Sequence, residues 1–192
     1  KIKKKRMNVK HILLLGASLE SDNKGVNALG VGAITLLNNN YKNAKISLLC
    51  VGEQTTHEKE LTISGEIVKV KLCYFTKHEI LKSLKEAEEN ADIIIITGGL
   101  GPTKDDITKK TLCKYFNCGI RRDDSVIEHL EKIFAQRGRQ LLDTNLVQAD
   151  LPEACVTLHN AVGTAPGMWF QQNNKILISL PGVPVEVYHL IE

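Results

Sequence analysis

Ten consecutive residues, Thr97–Asp106 (TGGLGPTKDD), follow directly on the apolar run of isoleucines at 93–96, and their types suit a loop that binds an anion. Gly98, Gly99 and Gly101 leave no side chain between a ligand and the backbone amides, and they permit the positive φ angles of a tight turn. The hydroxyls of Thr97 and Thr103 can add hydrogen bonds, and Pro102 stiffens the loop. A phosphate at the start of a following helix is held by amide N–H groups and the positive end of the helix dipole. Asp105 and Asp106 are harder to read as decoration. Two adjacent carboxylates would repel a phosphate unless a divalent cation lay between them, so an ion of the Mg²⁺ or Co²⁺ type, held by Asp105 and Asp106 together with phosphate oxygens, is the expected cofactor. The alternative is that one of the two aspartates caps the helix. A glycine-rich loop alone is a weak signal, but ten contiguous residues behind a buried strand are a stronger one.

Two further clusters can close such a site. GTAPG at Gly163–Gly167 is a second small-residue loop, offering Gly163 and Thr164 to a ligand. PGVPVE at Pro181–Glu186 follows another apolar run, offers Pro181 and Gly182, and ends in a carboxylate at an expected helix start. Glu186 reads as a ligand, a base, or a favourable first-turn charge. Asn145 and Gln148 can contact a ligand or satisfy backbone groups. Ser18, Asp22, Asn23 and Lys24 can contact a phosphate, although such residues more often only build a polar turn. The six histidines show no metal-ligand spacing.

These residues need elements to position them. HILLL at 11–15 and ADIIII at 91–96 are unbroken apolar runs of strand length, as in parallel strands covered on both faces. Strands are also expected at 45–51, 66–74, 156–160 and 175–180, with a polar loop after Gly52 and a turn at LPE, 151–153. Apolar residues recur at helical spacing in 26–39 and in 78–90, where Ile80, Leu81, Leu84 and Ala87 share one side. Further helices are expected over 106–116 and over 123–137, the latter capped by Asp123 or Asp124. Strands alternating with helices imply an α/β fold with a mainly parallel sheet. In such sheets ligands gather at the carboxyl ends of the strands, which is where TGGLGPTKDD falls.

The bulk composition narrows the classes. At 192 residues, 43% hydrophobic and 24% charged, the chain has the makeup of an ordinary folded protein rather than a disordered or fibrous one. Six of its 25 basic residues lie in Lys1–Lys10, which leaves 19 basic against 22 acidic residues in the rest, a net charge of −3. The body is mildly acidic, so nucleic acid is not an expected partner, and residues 1–9 read as a solvated basic tail in which Met7 can be the natural start. No apolar run approaches the roughly 18 residues that cross a bilayer, so no membrane partner is expected. Five scattered cysteines without a CxxC pair fit reduced thiols in the cytoplasm.

From about His78 to Glu192, the segments ADIIIITGGLGPTKDDITKKTL, FAQRGR, NLVQADLPEA, NAVGTAPGMWF and LISLPGVPVEV resemble the amino-terminal domain of the CinA (competence/damage-inducible) family. That domain has the MoaB/MogA molybdopterin-binding-like fold, and the resemblance implies a three-layer α/β/α arrangement. It also implies a small-molecule nucleotide or pterin phosphate as ligand, divalent-metal-dependent hydrolysis of ADP-ribose, and a homo-oligomer. In that reaction a water activated by the ion attacks phosphorus while Asp106 or Glu186 accepts the proton. The nicotinamide mononucleotide deamidase domain that often accompanies such domains has no counterpart among these residues, so deamidation is not expected of them. The front departs from the pattern: a GDELL-like motif and a DTN-bearing helix should open the domain, and neither is present. Instead HILLLGASLESDNKGVNALGVGAITLL, within residues 9–72, resembles the start of a polysaccharide pyruvyl transferase-like protein. Residues 10–76 are therefore expected to be either a segment of different origin joined to 77–192 or the β-α-β portion of one continuous domain. A non-catalytic binding module and a transferase fragment are the alternative functions.

Overall fold

The computed structural model of the chain describes residues 9–17, 19–20, 22–51, 56–75, 84–85, 88–89, 91–98 and 108–191. Eight strands form one sheet: β1 (His11–Leu15), β2 (Lys45–Val51), β3 (Thr56–Ile63), β4 (Glu66–Phe75), β5 (Ile93–Thr97), β8 (Val156–Leu158), β9 (Gly167–Gln172) and β10 (Lys175–Leu180). The order across it is β3-β4-β2-β1-β5-β10-β9-β8. β4, β2, β1, β5 and β10 run parallel to their neighbours in this set, while β3, β9 and β8 are antiparallel additions at the two edges. The mainly parallel sheet expected from the alternation of elements is present. Residues 10–76 and 77–192 both feed it, because β1 lies between β2 and β5.

Period-two alternation in the central strands sends their side chains into two cores. Ile12 and Leu14 of β1, Ile93 and Ile95 of β5, and Ile176 and Leu180 of β10 pack with Leu29, Ala33, Ile34 and Leu37 of helix α1 (Lys24–Asn40). Leu13, Leu15, Ile94 and Leu177 point the other way, against Leu112 of helix α2 (Thr108–Phe116) and Val126 and Leu130 of helix α3 (Asp124–Gln136). Each fully buried Leu or Ile contributes roughly 1.5–3 kcal/mol by leaving water. Burial on both faces is why the central runs are continuously apolar rather than alternating, and it makes the three-layer α/β/α architecture.

Two strands lie where the sequence alone predicts none. Residues 56–63, within the polar loop expected after Gly52, are β3, an edge strand whose Glu58 and Glu60 are exposed and discourage pairing with another chain. It returns into β4 through Ser64 and Gly65, both at positive φ. Residues 167–172 are β9, which returns into β10 through Asn173 and Asn174, also at positive φ. Two consecutive positive-φ residues make the hairpin turn whose twist matches the strands it joins. The expected turn at 151–153 is instead mostly strand: β7 (Asp150–Pro152) pairs with β6 (Ile120–Arg122) in a small separate ladder. The helix expected over 78–90 lies outside the described residues apart from 84–85 and 88–89, which are helical and include the fully buried Leu84. The basic tail over residues 1–8, Met7 included, and Ser18 lie outside them as well. Among the described residues, no helix is long and apolar enough to cross a membrane.

Local chemistry sets the helix starts. Asn23 caps α1, its side chain accepting from the Gly25 and Val26 amides, so it is occupied in building a turn. Asp123 caps α3 and binds Arg121 at 2.7 Å, Thr157 at 2.6 Å and Ser125 at 2.6 Å. Burial would raise this carboxyl, but the Ser125 and Thr157 hydroxyls and the Arg121 guanidinium outweigh it and hold Asp123 well below the ordinary carboxylate range. A carboxylate depressed in the folded state lends stability above its unfolded pKa and loses that contribution as pH falls through the folded value. Asp123→Asn is therefore expected to cost about 2 kcal/mol at neutral pH, measured by urea unfolding. The difference from wild type should shrink as pH falls from about 4 to about 2; a pH-independent difference would show that the charge is not what stabilises the cap.

Candidate functional site

Chain connection places a crevice at the ends of two central strands. From β1 the chain crosses through α1 to β2 on one side, while β5 lies on the other side of β1. The loops leaving β1 and β5 therefore diverge at a topological switch point, where open α/β sheets bind ligands. Gly16 leaves β1 at φ +82°, and Gly98 leaves β5 at φ +87°. A Cβ on Gly16 would collide with the Thr97 carbonyl. Thr97 is 5% exposed, and its hydroxyl donates to the Leu15 carbonyl at 3.1 Å, so it ties β5 to β1.

The third wall comes from β10. The Gly98 amide donates to the Leu180 carbonyl at 2.9 Å, and a Cβ on Gly182 would lie 3.3 Å from the Gly98 Cα. Pro181 is buried and Gly182 is exposed. The far end of the glycine loop is pinned as well, since the Thr108 hydroxyl, at the start of α2, donates to the Gly98 carbonyl at 3.2 Å. Gly99, Gly101, Pro102, Thr103, Asp105 and Asp106 lie between these anchors and outside the described residues. Behind the anchor, the buried Lys109 ammonium donates to the carbonyls of Val147 and Gln148, each at 3.0 Å. Gln148 is itself buried, and its side-chain oxygen has no hydrogen-bond partner among the described residues. Asn145 accepts from the Leu142 amide at 3.1 Å, which gives it a backbone role at the start of the short helix α4 (Asp143–Leu146).

Helix α5 (Pro184–Ile191) leaves β10 and carries Glu186 on its first turn. Glu186 meets the second small-residue loop there. Asn160 Nδ2 donates to Glu186 Oε2 at 2.9 Å and to the Ala165 carbonyl at 2.8 Å. Asn160 Oδ1 accepts from the Val162 amide at 3.2 Å and the Gly163 amide at 3.0 Å. A Cβ on Gly163 would strike the Glu186 carboxyl, so glycine is what allows this approach. The Gly163 carbonyl meets His129 Nε2 at 3.0 Å, and the His129 ring lies edge-on to His159, with centroids 4.5 Å apart. Burial raises Glu186 above the ordinary carboxylate range, opposed by the Asn160 hydrogen bond and the charge of Arg137. A half-buried carboxylate with a raised pKa is a better proton acceptor near neutrality than a solvated one.

The structure thus brings Thr97, Gly98, Pro181 and Gly182 together at the strand ends, and Gly163 and Glu186 together at the foot of α5; Thr164 sits half-buried in the loop beside them. Asn160, Gly16 and His129 were not among the site residues expected from the sequence. Asn160 carried a readable signal, an Asx-type turn residue three positions before a glycine. Gly16 is recognisable only once β1 and β5 are neighbours.

Comparison with known proteins agrees with this geometry. The family model described as "Probable molybdopterin binding domain" matches residues 59–192. A CinA-like protein of Cytophaga hutchinsonii is 54% identical over 109 residues, covering 57% of this chain and 26% of the relative. A CinA-like protein of Flavobacterium psychrophilum is 50% identical over 117 residues, covering 60% of this chain and 28% of the relative. The chain therefore spans about a quarter of the length of these curated relatives. The crystal structure of the protein CinA, of unknown function, from Thermoplasma acidophilum superposes with a TM-score of 0.62 at 26% identity, covering 96% of this chain and 95% of that one. With its parallel sheet, its switch-point crevice and the family match over residues 59–192, the chain belongs to the molybdopterin-binding domain family and is CinA-like.

Proposed function

We propose that this domain binds a pyrophosphate-containing nucleotide of the ADP-ribose class in the crevice between β1, β5 and β10 and hydrolyses its phosphoanhydride, with Glu186 accepting the proton of the attacking water. The observation that carries the reading is the meeting of three strand ends at Gly16, Gly98 and Gly182 beside a helix whose first turn presents a carboxylate with a raised pKa. Glycines at these points let phosphate oxygens reach backbone amides that a side chain would cover. The part of this chain in the reaction is to orient the diphosphate and to hold a base within reach of the attacking water.

A divalent ion is part of the proposal, with Asp105 and Asp106 as its ligands by sequence. Among the described residues, no group of three or more His, Cys, Asp or Glu side chains is arranged to hold a metal, so the described walls of the site supply no cage of their own. When bound, the ion would neutralise charge on the phosphate oxygens.

Incubating the protein with ADP-ribose and Mg²⁺ or Co²⁺ is expected to release AMP, followed by ion-exchange chromatography, and the Asp105→Asn/Asp106→Asn double variant should release far less. No AMP from wild type, or equal release from the double variant, would overturn the hydrolytic assignment. Calorimetric binding of ADP-ribose without product would point instead to a non-catalytic module for a nucleotide or pterin phosphate.

A further inference from the structure

We propose that Asn160 is a positioning residue for Glu186: one side-chain amide both builds the loop over 160–165 and grips one oxygen of the Glu186 carboxylate, so that loop and base are set as a unit. The inference rests on the reading of Glu186 as the proton acceptor. Asn160 is 2% exposed and uses its whole hydrogen-bonding capacity. Both Nδ2 protons go to acceptors, the Ala165 carbonyl and Glu186 Oε2, while Oδ1 takes two backbone amides, those of Val162 and Gly163. The partners dictate the amide's orientation, because a flipped side chain would set its oxygen against two acceptors and its nitrogen against two donors. Each of these contacts is local, 2 to 5 residues away, except the one to Glu186, which is 26 residues distant. Loop closure alone does not require that fourth bond.

The surroundings make the arrangement specific to the base. Gly163 packs directly on the Glu186 carboxyl, and its peptide is held at the amide by Asn160 and at the carbonyl by His129. Among the described residues, the charged group acting on the carboxylate is Arg137, just past the end of α3. His129 on α3 meets the Gly163 carbonyl with its ring against that of His159, and His189 lies in the last turn of the helix that carries Glu186. Arg137 pulls the carboxylate toward its charged form, as does the Asn160 amide. Removing the amide donor takes away the hydrogen bond that holds Glu186 Oε2 and leaves the charge of Arg137.

Asn160→Asp keeps an oxygen to accept from the Val162 and Gly163 amides, but it loses both N–H bonds, the one to the Ala165 carbonyl and the one that holds Glu186, and sets a second carboxylate beside the base. The Glu186→Gln background separates the effect on the loop from the effect on the base. For ADP-ribose hydrolysis the expected result is a kcat about 10- to 100-fold lower, with KM nearly unchanged and the acid limb of the kcat–pH profile moved to higher pH. In a Glu186→Gln background the same change should have almost no further effect. A merely structural Asn160 would lower kcat by the same factor in both backgrounds, and that result would overturn the proposal. A second measurement does not depend on turnover. The side-chain carboxyl carbon of Glu186, ¹³C-labelled and assigned by its loss in Glu186→Gln, should titrate at higher pH than in wild type in folded Asn160→Ala, which removes the amide donor without adding a charge. An unchanged titration would overturn the positioning role even if ADP-ribose proved not to be a substrate, whereas a shifted titration without any AMP release would sustain it and overturn only the hydrolytic reading.

Discussion

Glu186→Gln is expected to lower AMP release from ADP-ribose by about 100-fold or more while leaving calorimetric affinity for the nucleotide within a small factor. The side chain keeps its size, so the turn, the packing against Gly163 and the acceptor for Asn160 Nδ2 survive. What is lost is the basicity. Because burial raises the Glu186 carboxyl above its ordinary range, the wild-type rate should climb with pH through that raised value as the group deprotonates, and the variant should lack this limb. An unimpaired variant with an intact acid limb would assign the proton to another group. A large loss of affinity with an unchanged rate would make Glu186 a binding residue instead.

The second large effect is on stability. Gly16→Ala places a methyl group against the Thr97 carbonyl in a residue whose φ is +82°. The left-handed conformation costs an alanine roughly 1–2 kcal/mol, and overpacking against a backbone atom that cannot rotate away costs roughly 1–3 kcal/mol more. The obstacle is backbone, so relief requires β1 and β5 to part at their carboxyl ends, where the Thr97–Leu15 hydrogen bond now joins them. The expected result is a melting temperature lower by about 10 °C, followed by far-UV circular dichroism, with nucleotide binding weakened in the protein that remains folded. Melting within about 2 °C of wild type would mean that the strand ends relax freely and that the crevice is not tightly built.

The legible parts of the fold were those with a one-dimensional signature. The apolar runs at 11–15, 93–96 and 175–180 lie in central strands, because burial on both faces demands continuous apolar sequence. Asp123 is the cap of α3, because a short carboxylate before an amphipathic run has few better uses. The strand at 56–63 was not legible: an edge strand with exposed charges has the composition of a loop, and only its pairing with β4 gives it a regular structure. The strand at 167–172 begins at the last residue of the small-residue loop at 163–167, and it gains its identity from the positive-φ turn at Asn173 and Asn174 and its pairing with β10.

The same division runs through the candidate site. Sequence by itself determined the family, the class of fold and which segments carry glycines and carboxylates, since backbone exposure and charge are properties of residue type. Tertiary structure decided which of these segments meet. That Gly16 faces Thr97, that Gly98 is anchored by Leu180 and Thr108, and that Glu186 is held by Asn160 all depend on strand order and on where helices leave the sheet. Contacts between residues 10 to 82 positions apart leave no periodic trace in the chain, because the partner of each group is chosen by packing and not by its neighbours in sequence.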